Sequence, residues 1–248
     1  MSFIVVIPAR FAATRLPGKP LLDIAGKPML QHVYERALQS AAQAVWVATD
    51  DERIREVALR FTANVCMTSA THQSGTDRIQ EVASRLGLAQ DAIVVNVQGD
   101  EPLIPPGAIN QVAYNLQQHS AAGIASLYEE IEHDAEFQNP NAVKVVTDLQ
   151  GYALYFSRSP IPWRNPALAA PALPAKRHIG IYAYRVATLN HFIGWPQAPL
   201  EIAERLEQLR AMSHGVRIHM DKAAQRIPAG VDTPEDLEAV RAFLRASA

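Results

Sequence analysis

The sequence predicts an α/β fold in which a mostly parallel sheet is flanked by helices and carries a smaller mixed-strand extension. Short aliphatic runs recur at residues 3–7, 45–49, 93–97 and 123–127. Stretches with the apolar spacing of amphipathic helices separate the runs, as over residues 29–41. Strands that alternate with helices form βαβ units, and right-handed βαβ units build parallel sheets.

The remaining elements follow in chain order. Helical spacing predicts helices over 54–61 and 79–86, on either side of the short stretch that holds Cys66. After residue 128 the strand-like segments "AVKVV", "YALYFS" and "HIGIYAYR" predict a mixed or antiparallel extension. We assign residues 1–248 to a single domain and residues 128–195 to the extension.

The last third of the chain predicts a loop and two helices. The Ala- and Pro-rich stretch 163–176 has no usable period and predicts a loop. Apolar spacing predicts one helix over 199–215, with Gly215 as its stop. The final helix begins near Thr233, whose hydroxyl can cap it, and Asp236 completes a capping-box pattern.

Composition excludes several classes of partner. The formal net charge of -2 provides no polycationic field for a nucleic acid. A single cysteine, Cys66, excludes an internal disulfide and a thiolate metal cage, and we expect it to be buried in a strand. No apolar run approaches the roughly 18 residues that span a bilayer, and the N-terminus lacks a signal-peptide pattern. We therefore expect a cytoplasmic protein without a membrane partner.

A cationic loop follows the first aliphatic run, in "VVIPARFAATRLPGKPLL". Arg10, Arg15 and Lys19 lie among prolines that prevent a helix, and no glycine-rich phosphate-binding pattern is present. The carboxyl ends of parallel strands are where ligands bind, so these side chains can grip a small polyanion such as a chain of phosphates. The alternative is that they are three solvated surface cations.

Acidic residues follow the third aliphatic run, in "VNVQGDEP". Gly99 allows a close backbone approach, and Asp100 emerges at the same sheet edge as the cationic loop. Mg²⁺ takes one or two protein carboxylates and fills its other positions with water and phosphate oxygens. Asp232, before the last helix, offers a second carboxylate. The alternative is that both residues only cap the turns that follow them.

A third motif is "THQSGTDRI", residues 71–79. Ser74, Gly75 and Thr76 form a polar turn before a predicted helix and can present backbone groups to a base or a ribose. We expect Asp77 and Arg78 to form a local surface pair.

Taken together, the motifs resemble the 3-deoxy-manno-octulosonate cytidylyltransferase family, also called CMP-Kdo synthetases. The matching segments, in order and over nearly the whole chain, are "IPARFAATRLPGKPL", "HQSGTDR", "NVQGDEP", "NAVKVV", "YFSRSPIPW", "HIGIYAYR" and "GVDTPEDLE". The related acylneuraminate cytidylyltransferases carry a Gly/Ser-rich loop where this chain has "FAATRL". The resemblance implies a Rossmann-like sheet of the nucleotide-diphospho-sugar transferase type and a homodimer.

The resemblance also implies a reaction and a set of site residues. CTP and 3-deoxy-D-manno-octulosonate (Kdo) would give CMP-Kdo and pyrophosphate for lipopolysaccharide biosynthesis, with Mg²⁺ as cofactor. The residues implied for the catalytic and nucleotide sites are Arg10, Arg15, Lys19, Ser74, Gly75 and Asp100, and the metal ligands are Asp100 and Asp232. Those implied for the sugar pocket are Gln98, Arg158, His178, Tyr182, Tyr184, Glu207 and Gln208. The extension would contribute to the sugar pocket and to the dimer contact.

Alternatives remain open for the function and for individual residues. The acceptor could be another sugar acid, such as sialic acid or 8-amino-Kdo, or the chain could be a non-catalytic nucleotide-binding regulator. His178 could be an exposed residue at the start of a strand, and Tyr182 and Tyr184 share a strand face and could simply cover the core. Glu207 could be a solvated helix charge.

Overall fold

The centre of the molecule is a nine-stranded sheet. The structure is a computed structural model that describes residues 2–12, 16–165, 167 and 173–246. The described strands are β1 (Phe3–Ala9), β2 (Asp23–Ile24), β3 (Lys27–Pro28), β4 (Ala44–Thr49), β5 (Val65–Met67), β6 (Ile93–Asn96), β7 (Ile124–Glu130), β8 (Lys144–Thr147), β9 (Ala153–Ser157), β10 (Lys176–Arg185) and β11 (Ile218–Lys222). The described α-helices are α1 (Met29–Leu38), α2 (Glu52–Ala58), α3 (Gly75–Arg85), α4 (Pro106–Gln118), α5 (Asp134–Gln138), α6 (Val186–Phe192), α7 (Pro199–Glu204), α8 (Gln208–Ser213) and α9 (Pro234–Ala246).

The main path of the sheet runs in the order β11-β7-β10-β6-β1-β4-β5. Pairing is parallel between β1 and both β4 and β6, between β4 and β5, and between β7 and β11. β10 is antiparallel to both of its neighbours, β6 and β7. The carboxyl ends of β1, β4 and β6 therefore meet at one edge, where a crevice forms in folds of this kind. This arrangement confirms the predicted fold class.

Both faces of the sheet are covered, which explains why the central parallel strand β1 is an almost unbroken apolar run. Along β1, Val5 and Ile7 pack on one face with α1 and α4, and Ile4 and Val6 pack on the other with α3 and α6. Successive side chains of a strand point to opposite faces, so a strand buried on both sides needs an unbroken apolar run.

Several predicted elements are confirmed. The helices predicted over 29–41, 54–61 and 79–86 correspond to α1, α2 and α3. Cys66 lies in β5 with 9% of its surface exposed. At the start of α9 the Asp236 N–H donates to Thr233 Oγ1 at 3.2 Å, and the Thr233 N–H donates to Asp236 Oδ2 at 2.8 Å, which is the predicted capping box.

The single helix predicted over 199–215 is wrong, because two short helices, α7 and α8, occupy this segment. The break is at Arg205, whose φ of 53° and ψ of 47° place it in the left-handed region. The Leu206 N–H then bonds to the Glu201 carbonyl at 3.2 Å and closes α7. An ion pair of 2.6 Å between Glu201 and Arg210 holds the two helices together.

The predicted extension is built on the central sheet. β8 and β9 form an antiparallel hairpin, and the first residues of β10 pair with β8. The rest of β10 lies in the main path of the sheet, between β6 and β7. The loop predicted over 163–176 is described only at residues 163–165, 167 and 173–176, where it carries no helix and joins β10 at its end.

Candidate active site

The first of two adjoining cavities lies at the carboxyl ends of β1 and β6 and has a volume of about 280 Å³. A 3₁₀ turn at Lys19–Leu21 and the first turn of α3 complete its wall. The lining residues are Pro8, Ala9, Arg10, Ala12, Lys19, Pro20, Gly75, Gln98, Gly99 and Asp100. The cationic loop and the acidic strand end thus face each other, as predicted.

Lys19 connects the two carboxylates that the sequence could not place together. Its Nζ donates to Asp100 Oδ2 at 2.6 Å, to Asp232 Oδ1 at 3.0 Å and to the Val231 carbonyl at 2.7 Å. Burial lowers the pKa of Lys19, but Asp100 and Asp232 outweigh that effect and leave the pKa above its ordinary value. The side chain is therefore a fixed positive charge between two negative ones.

A close approach of three backbone segments shapes this cavity. A Cβ atom at Gly99 would lie 2.9 Å from the Pro8 carbonyl oxygen, which is backbone and cannot rotate away. A Cβ atom at Gly75 would lie 3.4 Å from the Pro8 ring. The ends of β1 and β6 can therefore meet this closely only because residue 99 has no side chain.

The other predicted nucleotide contacts fall into three groups. Arg10 lines the first cavity, with its Nη1 3.5 Å from the Gln73 carbonyl oxygen. Ser74 caps α3 through a capping box with Asp77, at the side of the cavity where Gly75 forms the wall. Arg15 lies outside the described residues.

The predicted surface pair of Asp77 and Arg78 is wrong. Asp77 is engaged in the capping box with Ser74. Arg78 is 1% exposed, and its Nη2 donates to Asp50 at 2.7 Å. A buried guanidinium needs a carboxylate partner, and the residue that follows β4 supplies one.

Asp100 and Asp232 fit a hard divalent cation. Their side chains are 30% and 52% exposed, so water and substrate oxygens can reach them. The described part of the chain contains no group of three or more His, Cys, Asp or Glu side chains arranged to hold a metal ion. A cation of the Mg²⁺ type takes one or two protein carboxylates and fills its other positions with water and phosphate oxygens, so two carboxylates are enough for such a site.

The second cavity, of about 170 Å³, shares Gly75 and Gln98 with the first. Its other lining residues are Thr76, Asn96, Ile124, Tyr182, Tyr184, Phe192, Glu207 and Gln208. The structure thus brings Gln98, both tyrosines, Glu207 and Gln208 into one pocket. Because the walls are shared, ligands in the two cavities would lie side by side.

Two residues that line the second cavity carry polar atoms without hydrogen-bond partners among the described residues. Asn96 is 4% exposed and Gln208 is 8% exposed, and neither Asn96 Oδ1 nor Gln208 Nε2 has a hydrogen-bond partner among the described residues. Buried polar groups normally find partners, so an unpartnered acceptor and an unpartnered donor on residues that line one cavity are consistent with a polar ligand there. Thr76 donates to Glu207, whose pKa is raised by burial.

Two predicted sugar contacts, Arg158 and His178, do not line either cavity. His178 stands behind Tyr182, with ring centroids 5.3 Å apart, and its Nε2 lies 3.0 Å from Ser126 Oγ. Burial, together with the charge of Arg177, lowers the pKa of His178 to about 3, so the ring is neutral. Arg158 donates to backbone carbonyls, including that of Glu204 at 2.8 Å from Nε.

Comparison with known proteins decides the family. Residues 4–218 match the family model described as cytidylyltransferase. The chain belongs to the cytidylyltransferase family. It is similar to the 3-deoxy-manno-octulosonate cytidylyltransferases of Cellvibrio japonicus (strain Ueda107), at 61% identity over 98% of both chains, and of Vibrio cholerae serotype O1, at 58% identity over 97% of both chains.

Solved structures agree with this assignment. A CMP:2-keto-3-deoxy-manno-octonic acid synthetase complexed with CTP has a TM-score of 0.91 to this chain, with 46% identity over 100% of this chain and 99% of that one. A cytidylyltransferase from Leptospira borgpetersenii has a TM-score of 0.63 at 18% identity and shares the fold. The predicted family and the predicted class of enzyme, a nucleotidyltransferase, are confirmed.

The two cavities of this cytidylyltransferase differ in chemistry. The first presents Arg10, Lys19 and the backbone at the start of α3 beside two carboxylates, a combination suited to phosphates and a bridging cation. The second presents amides, a carboxyl group and two aromatic rings, a combination suited to a polyhydroxylated molecule with an apolar face. A nucleotidyltransferase needs both kinds of site next to each other.

Thr76 and Asn96 are pocket residues that sequence reasoning did not assign to the sugar site. Asn96 is a polar residue within the aliphatic run of β6 and lies opposite Tyr182 in the sheet register. A buried amide inside a strand that is otherwise aliphatic needs a partner, and that requirement is the signal that could have found it. Thr76 follows Gly75 in the polar turn, and its contact with Glu207, more than a hundred residues away in the chain, is not visible in the sequence.

Proposed function

We propose that this cytidylyltransferase transfers CMP from CTP to Kdo and releases pyrophosphate, an activating step for lipopolysaccharide biosynthesis. The observation that carries the proposal is the pair of adjoining cavities that share Gly75 and Gln98. The names of the similar proteins, which cover nearly the full chain at high identity, supply the identity of the nucleotide and of the acceptor.

The first cavity would bind the triphosphate. Arg10 and Lys19 meet phosphate oxygens, and Arg15 is proposed for the same role. Ser74 and Gly75, at the start of α3, are proposed to contact the nucleotide, because the N-terminal end of a helix favours anions and Gly75 lines the cavity. Because the helix holds the N–H groups at the start of α3 in place before the nucleotide arrives, these groups can stabilise the charge that develops as pyrophosphate leaves.

Mg²⁺ is the proposed cofactor, with Asp100 and Asp232 as its ligands. When bound, it would polarise the phosphate oxygens and offset their charge. Lys19 holds both carboxylates at one place in the present geometry. We propose that its ammonium moves toward phosphate oxygens when CTP binds, because phosphate and carboxylates then compete for the same three donors.

The second cavity would hold the sugar acid. Asn96 Oδ1 and Gln208 Nε2 are unpartnered among the described residues and can accept from and donate to hydroxyl groups. Tyr182 and Tyr184, with ring centroids 5.7 Å apart, present a continuous wall for the carbon skeleton. Gln98, at the boundary, is proposed to align the attacking hydroxyl with the α-phosphorus.

One assay tests the proposal: pyrophosphate release with Kdo and each of the four nucleoside triphosphates, then with CTP and a panel of Kdo, 8-amino-Kdo and sialic acid. We expect release with CTP and Kdo. A preference for another sugar acid would reassign the acceptor. No release with any acceptor despite measurable CTP binding would favour a non-catalytic regulator and reject the proposal.

A variant tests the assignment of the carboxylates. We expect Asp100→Ala to lower the rate of pyrophosphate release about a hundredfold or more, because charge stabilisation at the reacting phosphate is lost. Asp221→Ala, an exposed aspartate at the same sheet edge, serves as the control and should keep wild-type activity. Wild-type activity of Asp100→Ala at saturating Mg²⁺ would reject the assignment.

A homodimer is the proposed assembly, with the predicted extension as the contact. Three large apolar side chains on or beside the β8–β9 hairpin are exposed: Leu149, Leu154 (61%) and Trp163 (77%). Exposed large apolar side chains in one part of the chain are candidates for contact with a protein partner. Light scattering of Leu154→Asp beside the wild type should show a shift toward monomer.

The described helices include none long and apolar enough to cross a membrane. The cytoplasmic location stays a prediction.

A further inference from the structure

A set of hydrogen bonds outside both cavities joins the end of β9 to the end of α7. The Glu204 carboxylate accepts from Ser157 Oγ at 2.6 Å, from the Arg158 N–H at 2.9 Å and from the Tyr155 hydroxyl at 3.3 Å. Burial raises the pKa of Glu204, but these donors outweigh it and hold the pKa below its ordinary value. The carboxylate is therefore charged and accepts three hydrogen bonds.

The contact is reciprocal. Arg158 Nε donates to the Glu204 carbonyl at 2.8 Å, and its Nη2 lies 3.4 Å from the Arg205 carbonyl. Behind them, Lys144 is fully buried and donates to the Arg158 carbonyl at 2.7 Å. We call Lys144, Ser157, Arg158 and Glu204 the Glu204 latch.

The last residue of the latch, Glu204, directly precedes the change of chain direction at Arg205, after which the chain reaches the second cavity. Arg205 adopts a left-handed conformation with a φ of 53°, which costs free energy in a residue with a side chain. Such a conformation persists only where surrounding contacts hold it, and the latch fixes the residue before it and its carbonyl. Glu207 and Gln208, two and three residues further on, are the side chains that enter the cavity.

We propose that Glu204 is a positioning residue for the acceptor site. It contacts neither cavity, and it acts by fixing the backbone from which Glu207 and Gln208 project. This inference rests on the proposed function, because it gives the second cavity the acceptor as its ligand. Arg158, expected from the sequence to bind the sugar, belongs to the same latch in the present geometry.

Kinetics separate positioning from general stabilisation. For Glu204→Gln, Glu204→Ala and Ser157→Ala we expect the KM for the acceptor to rise on the order of tenfold while the KM for CTP changes by less than about twofold. Glu35→Ala is the matched control, because Glu35 is a half-buried carboxylate on α1 that is also hydrogen-bonded, to Lys27 and Gln31, and lines neither cavity. It should leave both values unchanged.

Hydrogen exchange gives a readout that does not depend on activity. The amides of residues 206–209 should exchange faster in Glu204→Gln and Ser157→Ala than in the wild type or Glu35→Ala. Unchanged exchange there, or an equal rise of both KM values, would overturn the inference. If Glu204→Ala does not fold, the two milder variants decide. A wild type that activates no sugar acid would reject the proposed function, and the exchange experiment would still decide whether the latch orders this segment.

Discussion

Replacing Lys19 with methionine would remove the positive charge between Asp100 and Asp232 while keeping a long unbranched side chain. Lys19 Nζ is 2.6 Å from one carboxylate oxygen and 3.0 Å from the other, so these oxygens lie no more than about 5.6 Å apart. Two unit negative charges at that distance repel by about 1 kcal/mol in a water-like dielectric and about 3 kcal/mol at the effective dielectric of a protein surface. Both side chains are partly exposed, which places the expected value within this range.

We therefore expect Lys19→Met to lose about 1 to 3 kcal/mol of unfolding free energy at low ionic strength. Addition of Mg²⁺ should stabilise the variant more than the wild type, because the carboxylates no longer have an ammonium between them. Urea unfolding with and without Mg²⁺ measures both effects. Pyrophosphate release by the variant should fall about a hundredfold or more, because a charge that faces the phosphates is lost.

Lys27→Met is the control for this experiment. Lys27 pairs with Glu35 at 2.8 Å on the surface, where both side chains are well exposed, so its loss should change stability by less than about 1 kcal/mol. Equal stability of Lys19→Met and the wild type at low salt, together with no added benefit from Mg²⁺, would refute the reasoning about the paired carboxylates.

Three further predictions concern pH, packing and the acceptor. The pKa of His178 is about 3 in the fold and 6.5 in the unfolded chain. Between pH 7 and pH 5 His178 therefore takes up a proton in the unfolded chain but not in the folded protein. Urea unfolding should show that this lowers the free energy of unfolding by about 2 kcal/mol, a contribution that is absent in His178→Gln. Gly99→Ala should lower the free energy of unfolding by about 1 to 3 kcal/mol in thermal melts, because the new Cβ would lie 2.9 Å from a backbone oxygen. Gly180→Ala is the control and should not lose stability in this way, because no atom lies within 4 Å of the position of its Cβ. Glu207→Gln should raise the KM for the acceptor and leave the KM for CTP unchanged in steady-state kinetics.

The parallel half of the fold could be predicted because its signals are local. Strands buried on both faces read as unbroken aliphatic runs, and α1, α2 and α3 carry one apolar face each. α4 was not assigned although its buried apolar residues have helical spacing, and β11 escaped prediction because the polar His219, which is nevertheless buried, interrupts its apolar residues. The break at Arg205 depends on contacts with a distant strand, so apolar spacing alone predicted one continuous helix.

In the candidate site too, some residues could be predicted from local sequence, whereas contacts between distant residues could not. Lys19 and Asp100 could be assigned because each follows a strand whose carboxyl end was predictable. The meeting of Asp232 with Lys19 joins residues 213 positions apart, and spacing carries no information about such a contact. Arg78 looked like a surface residue, yet it is buried against Asp50 because the sheet brings the ends of β4 and α3 together.

The position of β10 explains how one sheet edge can serve two substrates. A parallel sheet by itself provides the phosphate side, at the ends of β1 and β6. β10 enters antiparallel beside β6 and places Tyr182 opposite Asn96, so side chains of an inserted strand and of a parallel strand form one wall. Tyr182 and Tyr184 face the same side because strand residues alternate, and that side is the one covered by α3. The first turn of α3 then belongs to both cavities, so the two ligands would meet between Gly75 on α3 and Gln98 beyond the end of β6.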